Sequence, residues 1–238
     1  MTSITSAFLN HLRSLYPSQS GTGNAGVLSN PWYIISAVAF SASNQPEGVP
    51  YIFDHMLSQL RESGSGMDEQ KLLARKLREA LLKSGLISGY PKAINSLVKL
   101  HEATPEELKD TQVQRSTTMP LQEYERKGQA FWDAIYPGEN NIYDMLYKVY
   151  PDLAWFSKTV GYGLVYGHME ILSQLETSYT LVAANIAGDT PQQISWHLAG
   201  AKQVGASSEE VKAVRSIVIE VGKHCGVQWK NPVPEIDL

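Results

Sequence analysis

The chain of 238 residues contains a single cysteine, Cys225. No disulfide can form within it, no Cys-x-x-Cys pair exists for dithiol redox chemistry, and a reducing compartment is the simplest expectation. Charge is scarce as well: 18% of residues are charged and the net charge is -4, so no basic excess exists to attract nucleic acid. No apolar run approaches the roughly 18 residues of a membrane span, and the longest, Trp32 to Phe40, is about half that. His-Glu-x-x-His and other metal-ligand spacings are missing, which predicts no metal, and Gly21-Thr22-Gly23-Asn24-Ala25 is a bare Gly-x-Gly with no strand before it. Alternating β-branched runs are missing too, so the expected fold class is all-α. Met1 to Gln45 lacks acidic residues but holds only one arginine, Arg13. The cytoplasm is therefore the expected location, with the mitochondrion as the alternative. The terminal Glu235-Ile236-Asp237-Leu238 matches neither a peroxisomal nor an ER-retention tail.

What is present is helical periodicity. Leu9 and Leu12, then Trp32 to Phe40, then Ile52, Phe53, Met56 and Leu60 mark three helices within residues 1–66, read as a segment packing on a bundle. Leu121 to Ile135 and Asn141 to Tyr150 predict two more. The richest stretch is Leu175 to His224. Its first segment is small and apolar to Gly188-Asp189, which suits a helix inside a bundle. Thr190-Pro191-Gln192-Gln193 predicts a start with a Thr cap and an early proline. Ser207-Ser208-Glu209-Glu210 predicts a capping box ahead of Val211, Val214, Ile217, Val218 and Val221.

Leu81 to Pro91 lies over Leu181 to Pro191 with the proline in register, and Ala103-Thr104-Pro105-Glu106-Glu107-Leu108 mirrors Ala206 to Val211. This spacing predicts an internal duplication. The organisation expected is residues 1–66, a degenerate first repeat at 67–109, a polar linker at 110–120, and a second repeat at 121–238 carrying any site. The position of His197 holds Leu97 in the first copy.

His197 borders the apolar stripe of its helix, where partial desolvation would keep the imidazole neutral and suited to proton transfer. A core histidine bonded to a carbonyl is the alternative. Trp155, Phe156, Tyr162 and Tyr166, with His168 and Glu170, can line a pocket for a planar substrate or simply pack. Cys225 ends a helix, where the dipole disfavours a thiolate.

A small-residue helix, a turn, His197-x-x-x-Ala201 and Gly205-Ala206-x-x-Glu209-Glu210-Val211 together resemble the carboxymuconolactone decarboxylase and AhpD-like family, and Tyr162-Gly163-Leu164-Val165-Tyr166-Gly167 resembles its Tyr-Gly segment. The resemblance is best over Leu175 to His224. It implies an AhpD-like helical bundle of two degenerate repeats, a homo-oligomer (trimer or dimer-based) and a cofactor-free lyase or isomerase acting on a small carboxylated or lactone-type molecule. Under it His197 moves a proton, Tyr162 and Tyr166 hold an oxygen, and Trp155, Trp196, Glu176 and His168 are expected to bind substrate. The family's redox branch places Cys-x-x-Cys where this chain has Thr190 and Gln193, so an alkylhydroperoxidase is the least favoured reading. The family's acidic residue falls near Ser178, with Glu176 two residues away. A catalytically silent oligomeric binding or assembly protein is the rival from another class.

Overall fold

The computed structural model describes residues 3–17, 26–138 and 141–235; the Gly21 to Ala25 loop and Ile236 to Leu238 lie outside them. Among the described residues there are eleven α-helices and no strand, so the fold is all-α. They are α1 (Ser6–Leu15), α2 (Trp32–Ala42), α3 (Gly48–Glu62), α4 (Met67–Ser88), α5 (Tyr90–Ala103), α6 (Leu121–Ile135), α7 (Ile142–Val149), α8 (Pro151–Trp155), α9 (Gln174–Ala187), α10 (Pro191–Gln203) and α11 (Ser208–His224). Between α8 and α9 the chain winds as a π-helix over Phe156–Tyr166.

Helix α2 is the axis. Every one of its 11 residues is buried, with Trp32, Tyr33, Ile34 and Ile35 fully enclosed, and α4, α9 and α11 pack on it. The segment 1–66 therefore supplies the centre of the bundle rather than a layer on its outside. The inward positions expected for α3, namely Ile52, Phe53, Met56 and Leu60, are all fully buried.

Helices α4 and α5 turn at Gly89, and α9 and α10 turn at Gly188-Asp189, with Pro91 and Pro191 each in the first turn of the second helix. The two hairpins touch through α4 and α9. The third helices differ. Ser207 and Glu210 form the expected capping box on α11, but Glu106–Leu108 is only a single 3₁₀ turn. The expected cap at Thr190 is also absent: its hydroxyl turns back to donate to the Asn185 backbone oxygen at 3.2 Å and Oδ1 at 2.9 Å.

A second, smaller core flanks the first, built from Phe131, Trp132, Ile135 and Tyr136 of α6, Tyr162 and Tyr166 of the π-helix, and Leu181 of α9. Helix α6 meets the π-helix at two glycines. A Cβ on Gly128 would lie 2.5 Å from the Lys158 oxygen, and one on Gly163 would lie 2.4 Å from the Tyr124 oxygen. This backbone-to-backbone approach holds the aromatic layer in place, and such contact admits no side chain. The nominal linker is anchored too. Arg115 donates to both oxygens of buried Glu79, at 2.6 and 3.0 Å, and to the Leu164 and Val165 carbonyls at 3.3 Å each.

Candidate functional site

Where the two cores meet, a cavity of about 310 Å³ opens between α4, α6, α7, the π-helix, α9 and α10. Ligand sites of small proteins fall in this size range and are mostly apolar with a few placed polar groups. His197 and Trp196 reach it from α10, Tyr162 and Tyr166 from the π-helix, and Trp132 and Tyr136 from α6. The structure thus brings four of the expected residues (His197, Tyr162, Tyr166 and Trp196) to one wall.

Helical spacing explains the grouping. Tyr162 and Tyr166 are four apart on a helix wound at more than four residues per turn, so they share a face, while the neighbouring Gly163 and Gly167 line a different cavity. Tyr162 donates to the Tyr136 hydroxyl at 3.1 Å, and the Trp132 ring stands edge-on to Tyr162 at 4.8 Å. Burial holds the phenols protonated: the pKa of Tyr136 is pushed up to about 12, and those of Tyr162 and Tyr166 are also raised. Each is therefore a neutral phenol at pH 7, with the Tyr162 proton given to the Tyr136 oxygen.

His197 is 8% exposed, and its ring centroid lies 6.2 Å from that of Tyr136. Its Nδ1 is buried without a hydrogen-bond partner among the described residues. The alternative of a core histidine satisfied at this nitrogen by a carbonyl is not what the structure shows. Burial lowers its pKa from the usual 6.5 to about 4, so the imidazole is neutral and keeps a lone pair for a proton.

That shift has a sign in stability. Between about pH 6.5 and 4 the unfolded chain binds a proton at this position and the folded chain does not, so acidification removes stability across that window, by about 3 kcal/mol in all. Urea titrations at pH 7 and pH 4 should show this loss diminished by about that amount in His197→Asn. Equal pH dependence in both proteins would mean that His197 is not desolvated.

Three expected residues lie elsewhere. Glu176 reaches back to the Ser173 backbone N–H at 2.9 Å as half of a capping box and pairs with Lys76, so it does not orient His197. The signal was in the chain, since Ser173-x-x-Glu176 has the same spacing as Ser207-x-x-Glu210. Trp155 is half-exposed and turned from the cavity, and Phe156 lines it instead. His168 sits beyond the π-helix in the turn before α9, where its Nδ1 meets Glu170 Oε2 at 2.8 Å. Trp132 and Tyr136 were missed, although Phe131, Trp132, Ile135 and Tyr136 form an apolar stripe readable from spacing alone.

Among the described residues no group of three metal-ligating side chains comes together. The wall of the cavity carries no Lys, Arg, Asp or Glu among the described residues. Cys225 is distant from it, and burial raises its thiol pKa to about 11, which opposes nucleophilic chemistry.

No family model matches the chain. A Saccharomyces cerevisiae protein named Peroxisomal protein 2 is 29% identical over 88% of this chain and 93% of its own length. The Schizosaccharomyces pombe protein of the same name is 31% identical over 84% of this chain and 90% of its own. The chain belongs to the Peroxisomal protein 2 family. The likeness covers nearly the whole of each Peroxisomal protein 2 and most of this chain.

Proposed function

We propose that the cavity at His197 is the active site of a carboxymuconolactone decarboxylase-like enzyme carrying out cofactor-free proton transfer on a small molecule. The observation that carries this is one buried, neutral imidazole with an unpartnered Nδ1, on a residue that lines an aromatic-walled cavity of about 310 Å³. In such a site Nδ1 takes a proton from the carbon beside a carbonyl, and the electron pair moves to the carbonyl oxygen. Phenol O–H donors stabilise the resulting enolate, and the imidazolium returns the proton at another carbon, completing an isomerisation. Of the two substrate types the resemblance implies, the uncharged wall favours the lactone, because a carboxylate buried there would find no countercharge.

A second reading, a catalytically silent binding or assembly subunit, is favoured by one specific feature. Met145, Tyr147, Val149, Tyr150, Leu153 and Trp155 on α7 and α8 are all substantially exposed. This apolar patch suits the homo-oligomer that the resemblance implies.

A panel of small lactones, β-keto acids and muconate-like diacids separates the two. Lactones should raise the melting temperature of the wild type and be turned over, and His197→Ala should cost about 100-fold or more in kcat with the fold retained. Binding and turnover of nothing in the panel, together with concentration-dependent assembly, would support the silent reading. On this proposal the protein works in the peroxisome and not, as the sequence suggested, in the cytoplasm; the relatives' name supports that reading. A fluorescent fusion found only in the cytosol would overturn that placement.

A further inference from the structure

A second cavity, of about 320 Å³, is bordered by Gly163 and Gly167 where the first is bordered by Tyr162 and Tyr166. Neighbouring residues of one segment thus line two chambers of similar size and contrasting character. The first has an uncharged wall among the described residues. The second is lined by Arg115, Lys127, His168 and Glu170, with Ser116 and Tyr124 beside them.

His168 is the informative group. It is 8% exposed, and its backbone oxygen accepts from the fully buried Lys83 ammonium at 2.7 Å, which fixes the turn that carries it. Glu170 Oε2 lies 2.8 Å from Nδ1, which places the N–H there and leaves Nε2 as the bare acceptor. Nε2 is buried, without a partner among the described residues. Burial lowers the affinity of this imidazole for a second proton, with Arg115 and Lys83 adding to the effect while Glu79 and Glu170 oppose it. The ring therefore offers a lone pair to a donor.

The charges around it differ in availability. Four of the five Arg115 N–H groups already serve Glu79 and the Leu164 and Val165 carbonyls, so Arg115 shapes the wall. Lys127 forms no salt bridge among the described residues. Its longer-range acidic neighbour Glu123 is held by Arg126 through hydrogen bonds from Nε at 2.9 Å and Nη2 at 2.5 Å. Lys127 is half-buried and is one of the residues that line the chamber. Two cations against one carboxylate in the wall disfavour a bound metal ion and favour an anion.

We propose that this second chamber binds a small hydroxy acid, its carboxylate against Lys127 and its hydroxyl donating to Nε2 of His168. This site is separate from the one at His197, and its occupancy does not depend on the reaction there. The hydroxyl distinguishes the ligand from a simple carboxylate, because a bare imidazole nitrogen repays only a donor.

Calorimetric titration of the full chain with glycolate and with acetate tests this. Glycolate should saturate at about millimolar concentration, as expected for so few atoms. It should bind about tenfold more tightly than acetate, the difference being one hydrogen bond to a buried acceptor. His168→Leu should abolish that preference. Lys127→Gln, at a half-buried helix position, should weaken both acids about tenfold whether or not the His168 variant folds. His197→Asn should leave both affinities as they are. Equal affinity for the two acids, failure of either to saturate, or an unaltered glycolate affinity in Lys127→Gln would overturn the assignment.

Discussion

Arg115→Met is expected to cost about 3 to 5 kcal/mol of folding stability, the range found when one member of a buried ion pair is removed. The reason is Glu79, whose side chain is 4% exposed and whose two oxygens are both held by Arg115. Among the described residues Lys83, at 3.7 Å, is the only other cation paired with Glu79, and its ammonium is already committed to the His168 carbonyl and to Thr177 Oγ1 at 2.8 Å. Burial lowers the Lys83 pKa to about 8 even with Glu79 raising it, so this lysine has little charge stabilisation to spare. Losing Arg115 also frees the Leu164 and Val165 carbonyls at the end of the π-helix. Domains of this kind are stable by about 5 to 15 kcal/mol, so a urea midpoint should fall steeply. Adding Glu79→Gln should recover part of the loss, because the uncompensated charge is then gone. A loss below about 1 kcal/mol in the single variant would mean that the pair is solvated and the network is incidental.

Gly163→Ala should be nearly as damaging, and it should act on the site as well. The added Cβ would stand 2.4 Å from the Tyr124 oxygen and 3.0 Å from its carbonyl carbon, both backbone atoms that no rotamer change can move. Helix α6 and the π-helix must then separate, at a cost of about 3 kcal/mol for this overpacking. The separation carries Tyr162 and Tyr166 away from Trp132 and Tyr136, so any turnover at the site proposed around His197 should fall more than stability alone explains. Gly161→Ala is the control within the same helix. Its Cβ would meet only Tyr166 Cε2 at 3.7 Å and the Phe156 oxygen at 3.8 Å, ordinary contacts, and stability should stay within about 1 kcal/mol or rise. If the two alanines behaved alike in thermal unfolding, the close crossing would not be what holds the aromatic layer.

The helices were legible because their signals are local. The Leu121–Ile135 span, the α3 core positions and the Ser207–Glu210 capping box all follow from spacing within a few turns. The site was legible in part. His197, Tyr162, Tyr166 and Trp196, singled out by residue type and the motif they resemble, line one cavity, and Glu176 lies elsewhere because proximity in sequence outweighed a capping signal present in the same residues. His168 was grouped with the tyrosines two and six residues before it. His168 lies past the end of the π-helix, in the turn before α9, and periodicity computed for a continuous α-helix does not foresee that ending. Arg115 sits in a polar stretch without pattern, and Glu79, 36 positions away, gives it meaning only after folding. The same holds for Thr190: its cap was the natural expectation from Thr-Pro, and the competing acceptors on Asn185 became available only when α9 ended where it does.

Helix α7 has no fully buried residue and packs chiefly on α8, yet its Ile142 and Leu146 close one side of the chamber at His197. The free energy that keeps that side shut is therefore a small fraction of what holds α2 in place, and its amides belong among the fast-exchanging ones. Local melting of α7 and α8, with the rest of the bundle intact, should therefore widen the way to the imidazole. Denaturant concentrations too low to disturb Trp32 would then already leave the chamber ajar.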